Sequence, residues 1–272
     1  MLRGLYGAAA GMLVQQQRQE MLTNNLANAT TPGYKADQSA IRSFPTMLIA
    51  AMNTSQSPQR TPVIGELSTG VYLQEHLPNF RQGDLQETAN STDIALLQGT
   101  LPETAAGTTG ALFYAVQNEN GDTRYTRNGQ FTIDGQGFLT TGDGYYVLSP
   151  AGEPLQVNNQ DFHVASNGLI TQTDGTAAGQ LNIVYAEDAM QLVKEGNNLL
   201  RYEGEGELPT VIGNAEMNFQ LQQGYVERSN VDASQTMTDM MQAYRSFEAN
   251  QRVLQAYDRS LEKAVNEIGR IG

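Results

Sequence analysis

The sequence predicts an α+β protein: long N- and C-terminal helices packed as an α-helical, coiled-coil-like domain, with a central all-β domain between them. Three observations predict it. A proline-free apolar stripe lies near each terminus, short β-branched and aromatic runs fill the centre, and Asn-Gly or Asp-Gly pairs punctuate those runs.

The first helix is expected from Leu2 to Ala29, a stretch of Leu, Ala, Met, Gln and Arg without proline. Leu2, Leu5, Ala9 and Met12 follow a 3-4-3 spacing, and Leu22, Leu26 and Ala29 resume the stripe. Gly4, Gly7 and Gly11 each cost about 1 kcal/mol relative to Ala inside a helix, so this end needs neighbours, and small residues admit them closely. Pro32 and Gly33 end the helix by pairing a fixed φ with a permissive one. A short apolar helix is expected over 44–52, and the Asn, Ser, Gln, Thr and Pro of 53–70 read as an extended connection. The resulting division is 1–45 for the N-terminal helix and its exit, 46–70 for a linker, 71–225 for the β domain and 226–272 for the C-terminal helix.

Strands are expected at 112–117, 130–134, 138–141, 145–148, 162–165, 168–173 and 181–186. The pairs Asn120-Gly121, Asn128-Gly129, Asp134-Gly135, Asp143-Gly144, Asn167-Gly168 and Asp174-Gly175 suggest type I′ turns, in which both central residues take positive φ.

The C-terminal helix is the clearest periodic signal. From Val231 to Ile268 there is neither proline nor internal glycine, and alternating steps of three and four give Met237, Met240, Tyr244, Phe247, Gln251, Leu254, Asp258, Leu261, Val265 and Ile268. Ser229 or Asn230 is the expected N-cap and Gly269 the expected stop. One such seam recovers less free energy than ordering a helix of this length costs, which points to assembly with further copies. The simpler reading is that the two helices pair within one molecule.

Composition excludes several functions. The net charge of -13 argues against nucleic acid, and it is uneven: residues 1–45 carry +2 and the remainder -15. No cysteine is present, so disulfides, thiolate nucleophiles and Cys-based zinc sites are out. His76 and His163 are isolated. Asn118 to Asp122 imitates the start of a calcium loop but places its glycine at the fourth position, and Gly135-Gln136-Gly137 lacks the third glycine and the helix of a dinucleotide fingerprint. No cofactor, metal, catalytic residue or small-molecule substrate is expected. No apolar run reaches the roughly 20 residues of a membrane span, and Gln15 to Arg18 stand where a signal-peptide cleavage site would follow.

Four blocks resemble the flagellar basal-body rod and hook protein family. They are NNLANATTPGYK (24–35), FRQGDLQETANSTDIAL (80–96), RYTRNGQFTIDGQGFLTTGDGYYVL (124–148) and SNVDASQTMTDMMQAYRSFEANQRVLQAYD (229–258). The chain departs from the family pattern at LPETAAGTTG (101–110) and at Ala233 to Thr236. The resemblance implies a structural subunit without enzymatic activity, exported through the flagellar type III apparatus without a cleaved signal. It further implies polymerisation with itself and other axial proteins outside the cytoplasmic membrane, into a tube that transmits torque and conducts later subunits. The subunit interface is then expected at Leu2, Leu5, Ala9, Met12, Asn24, Asn25, Asn28, Pro32, Gly33 and Tyr34. On the second helix it is expected at Met240, Tyr244, Phe247, Asn250, Leu254, Leu261, Val265 and Ile268. The competing reading is a cell-surface β domain that binds glycan or peptidoglycan on an intramolecular helical stalk, marked by an aromatic platform such as Tyr145 and Tyr146.

Overall fold

Helix α1 (Leu2–Ala27) and helix α2 (Ala233–Ile268) occupy the two ends of the chain with a β-rich centre between them, so the protein is α+β. The computed structural model describes residues 2–45, 47–50, 63–67, 70–74, 77–102, 110–159, 161–214 and 217–268. Two compact units result. One comprises Met1–Ala27, Asp37–Leu77 and Asp232–Gly272, and the other Asn28–Ala36 and Pro78–Val231.

In the helical unit α1 and α2 pair antiparallel, and small residues set how closely they approach. A Cβ on Gly4 would collide with the Tyr257 hydroxyl, and one on Gly11 would lie 2.8 Å from the Asn250 amide nitrogen. The step of seven from Gly4 to Gly11 is thus matched by seven backwards along α2, from Tyr257 to Asn250. Farther on, Arg18 and Asp239 approach to 3.9 Å. Helix α2 starts at a cap two or three residues later than Asn230 or Ser229 would give. The Asp232 carboxylate accepts from the backbone N–H groups of Ser234 (2.9 Å) and Gln235 (3.0 Å), satisfying donors that the first turn leaves open. The expected stop at Gly269 lies outside the described residues.

The same unit holds a two-stranded antiparallel pairing of Ile41–Ser43 with Val71–Leu73 and another of Met47–Ala50 with Val63–Leu67. In the stretch 44–52, expected as a short helix, Met47–Ala50 is a strand, and the expected linker 46–70 contains paired strands. A run of four apolar residues fits either element by periodicity, and here cross-strand pairing decides. Phe44 and Tyr72 stack across the first ribbon with ring centroids 5.2 Å apart.

In the β unit, strand Ala111–Gln117 is the hub, pairing antiparallel with Thr123–Thr126, Tyr146–Val147 and Ile183–Ala186. Its first six residues, ALFYAV, are apolar and buried because both faces are covered, and Gln117 ends the strand half-buried. Leu112, Tyr114 and Val116 enter one cluster with Ile94, Phe131 and Leu139, whereas Ala111, Phe113 and Ala115 enter another with Tyr125, Val184 and Leu200. Strand Phe219–Gln223 pairs with Ile94–Gln98, and Tyr225–Glu227 with Leu85–Glu87, so the last strands before α2 return to the first strands of the unit.

All seven expected strands are present, but the turns between them are of another kind. The N–H groups of Gly121, Gly137, Gly144, Gly152, Gly168 and Gly175 each donate to the carbonyl three residues earlier, at 2.9 to 3.1 Å, and only the glycine takes positive φ. This is a type I turn closed by a left-handed glycine, which needs one permissive position where a type I′ turn needs two. Asn128-Gly129 is not a hairpin turn. A two-residue turn with both φ positive does occur, at Asn197 and Asn198 between the paired strands Leu192–Gly196 and Leu199–Tyr202.

Candidate functional site

Helix α2 buries a narrower and more polar row than its large apolar residues suggest. Thr236, Ala243, Asn250, Tyr257 and Ala264 alternate with Met240, Phe247, Leu254 and Leu261 in steps of four and three, and all are buried or half-buried. The expected seam has the second set right and the first displaced by one residue. Its members Met237, Tyr244, Gln251, Asp258 and Val265 are exposed, Tyr244 at 55% and Val265 at 71%, while Ala243 is fully buried. Short side chains suit the closely approached helix, so the buried column carries Ala and Thr where the exposed one carries Met, Tyr and Val.

Helix α1 behaves alike. Gly4, Ala8, Gly11, Gln15, Arg18, Leu22 and Asn25 follow steps of four and three on its buried or half-buried side. The expected Leu5, Ala9 and Met12 are half-buried beside that row, and Tyr6 and Leu13, seven residues apart, are exposed. Of Leu2 and Ile268 only the helical backbone is described. Met237, Met241 and Tyr244 cluster by helical spacing on one outer side of α2.

The asparagines and the Pro-Gly-Tyr exit have work inside the chain. Asn25 is buried, its Nδ2 donating to the Asp37 carbonyl at 2.8 Å and its Oδ1 accepting from the Asp37 N–H at 2.9 Å. Its amide completes a backbone-like pair, so it is not available to an adjacent molecule. Asn24 is exposed, and Asn28 accepts from Thr31 through both its backbone carbonyl and its side chain. Gly33 and Tyr34 are buried in the β unit. At φ +70° a Cβ on Gly33 would stand 2.5 Å from the backbone of Arg127 and Asn128, which leaves glycine as the residue that fits. Within the chain, Asn25, Gly33 and Tyr34 are thus engaged internally. Pro32 accepts through its carbonyl from Asn198 Nδ2 at 3.2 Å.

The segment after Gly33 ends in a buried ion cluster. Lys35 Nζ lies 2.5 Å from Glu227 Oε1 and donates to the Arg81 carbonyl at 2.8 Å. Arg127 donates through Nε to Glu227 Oε2 at 2.6 Å and through its terminal nitrogens to the carbonyls of Leu112 and Leu96. Gly83 N–H donates to Glu227 Oε1, and Gly33 N–H to the Glu227 carbonyl. One carboxylate faces two cations, and burial is the largest influence on both partners. Burial lowers Lys35 to about 8 against a usual 10.5, with Arg127 adding to the fall and Glu227 opposing it. For Glu227 burial alone would raise the pKa, but Arg127 and Lys35 outweigh it and hold the carboxyl below its ordinary value.

Asn230 adds a second tie. Its Oδ1 accepts from Ala36 N–H at 2.8 Å, and its Nδ2 donates to the carbonyls of Asn79 (2.7 Å) and Arg81 (3.1 Å). Three separate pieces of chain are joined by one amide. Lys194 donates to the Lys35 carbonyl at 2.7 Å and lies 4.3 Å from the Tyr34 ring centroid.

Among the described residues no group of three or more His, Asp or Glu could hold a metal ion, and no helix is long and apolar enough to cross a membrane. Tyr145 and Tyr146 form no platform: both are half-buried, and Tyr146 packs edge-on against Phe138. The exposed large aromatic residues Tyr6, Phe44, Tyr72 and Tyr244 all belong to the helical unit.

Most of the exposed large apolar side chains among the described residues thus belong to the helical unit, as expected of a structural subunit. Comparison with known proteins agrees. Residues 5–35 match the family described as flagella basal body rod protein, 108–172 the flagellar hook protein FlgE/F/G D1 domain, and 222–267 the flagellar basal body rod FlgEFG protein C-terminal. The chain is 46% identical over 274 residues, covering all of both sequences, to the flagellar hook-basal body complex protein FlhO of Bacillus subtilis (strain 168). It is 28% identical to that organism's FlhP, across 96% of this chain and 97% of the relative. To the flagellar basal-body rod protein FlgG of Agrobacterium fabrum it is 30% identical, across 94% of this chain and 96% of the relative. The chain belongs to the flagellar basal-body rod and hook protein family, and it is a structural subunit rather than an enzyme.

Proposed function

We propose that this subunit joins the flagellar axle through the outer rows of its terminal helices, on a coiled-coil-like pair of α1 and α2 held together by their inner rows. The observation that carries the reading is the doubled apolar character of α2. One row is engaged by the chain itself, while Met237, Met241, Tyr244 and Val265 remain exposed. On α1, Tyr6 and Leu13 do the same. Solvent-facing aromatics and methionines at helical spacing are the surface a neighbouring helix covers in a bundle. Pairing within the molecule and assembly between molecules are then successive uses of the same two helices.

Within that reading, Leu5, Met12, Met240, Phe247, Leu254 and Leu261 support the contact from beneath, and Asn24, Asn28 and Pro32 shape the exit from α1. The partners are further copies and other axial subunits, in a tube outside the cytoplasmic membrane that passes torque and conducts later subunits. Delivery is by the flagellar type III export apparatus without a cleaved signal, a route that suits a cysteine-free chain. Tyr244→Asp tests the proposal. The variant folds with normal helix content yet fails to enter basal bodies, and a strain carrying it does not swim. Normal incorporation would refute the assignment.

A further inference from the structure

We propose that Arg245, Arg252 and Arg259 form a cationic rail on α2 that docks the acidic β unit of a second copy of this chain. The inference rests on the self-assembly reading above and assigns a separate surface to it. The three arginines recur every seven residues, so they share one side of the helix over about 21 Å. All are exposed, and among the described residues none makes a hydrogen bond or an ion pair. Glu248 lies three residues after Arg245 and four before Arg252, within reach of both by helical spacing, yet it pairs with neither. By the same spacing the rail lies on the side of α2 away from the row Ala243, Phe247, Asn250 and Leu254.

Charge distribution identifies the partner. The helical unit carries nine Lys and Arg against ten Asp and Glu, whereas the β unit carries seven against nineteen. Most of the β unit's cations are already engaged: Lys35 and Arg127 are buried on Glu227, Arg124 pairs with Glu195, and Arg201 with Glu203. The β unit also carries an exposed acidic run, Glu203, Glu205 and Glu207, in which Glu203 lies beside Arg201 and Glu207 accepts from the Thr123 hydroxyl. One copy thus presents cations on α2 and carboxylates on its β unit, unlike surfaces that match in the heterologous contact from which open helical polymers grow. A polyanion other than protein is disfavoured by the net charge of -13.

The test is sedimentation of the purified full-length chain at about 20 mM and about 500 mM salt, which moves the screening length across the range of surface ion pairs. Self-association is expected to weaken at least about tenfold at the higher salt, as desolvated complementary charges lose their reach. The triple substitution R245Q/R252Q/R259Q reproduces that weakening at low salt and removes the salt dependence, as does E203Q/E205Q/E207Q. Combining the two sets adds nothing to either, because both halves of one contact are already gone. Unchanged circular dichroism and melting show that the folded chain was compared. Association insensitive to salt and to the arginine set overturns the rail and leaves the apolar assembly reading standing. Additive losses from the two sets overturn the pairing of rail with acidic run, and a chain monomeric at both salts overturns the docking altogether.

Discussion

Lys35 and Glu227 meet at 2.5 Å although 192 residues of sequence separate them. The contact ties the segment that follows α1 to the strand that precedes α2, and Arg127 holds the carboxylate from its other side at 2.6 Å. The β unit is consequently closed by chain from both of its ends. Glu227→Gln keeps the shape and removes the only anion of the cluster, leaving two buried cations unpaired. It should cost about 3 to 5 kcal/mol in urea unfolding. Lys35→Met, which removes the surplus cation, should cost clearly less.

The same cluster sets a pH dependence of definite sign. Folding lowers Lys35 from 10.5 to about 8, so between these values the unfolded chain holds a proton that the folded one has released. Stability therefore rises with pH through that window. Glu227 is depressed on folding, so its contribution is present above the ordinary carboxyl value and lost as pH falls below it. Unfolding midpoints across pH should show the alkaline rise in the wild type and not in Lys35→Met. The acid loss should be shallower in Glu227→Gln than in the wild type.

Two glycines should respond oppositely to alanine. Gly33→Ala forces a Cβ to 2.5 Å from the Arg127 and Asn128 backbone at φ +70°, and should destabilise by more than about 1 kcal/mol. Gly7 has nothing within 4 Å of the same position, so Gly7→Ala should gain up to about 1 kcal/mol in the helical unit. Thermal melts of the two variants check both signs.

Asp232→Ala should cost about 1 kcal/mol and fray the start of α2, because two backbone donors lose their acceptor. Asn230→Ala acts differently. It should loosen the β unit, since that amide bonds Ala36, Asn79 and Arg81 and caps nothing. Amide exchange resolved by residue separates the two effects.

What was legible in the sequence was whatever follows from local pattern. Seven strands, both helices and the flagellar resemblance could be read because alternation, turn glycines and motif spacing are local properties. The helix contact was half legible. Met240, Phe247, Leu254 and Leu261 announce themselves by size, but Ala243, Thr236 and Gly11 are buried through smallness, which a search for large apolar residues passes over. Glu227 and Arg127 could not be found by spacing, since their partners are remote in sequence. A lone carboxylate in the strand Tyr225–Glu227, six residues before the start of α2 at Ala233, was the available signal. The type I turns escape a reading of pairs alone, because Asn-Gly and Asp-Gly occur in turn families that differ in how many positions take positive φ.

If neighbouring subunits cover the exposed positions of α1 and α2, a thiol placed there becomes shielded on assembly. The chain contains no cysteine, so Tyr244→Cys introduces a single reporter thiol. Maleimide labelling of that thiol should be rapid in the free subunit, where Tyr244 is 55% exposed, and blocked in isolated basal bodies. Equally rapid labelling in the assembled structure would contradict the account.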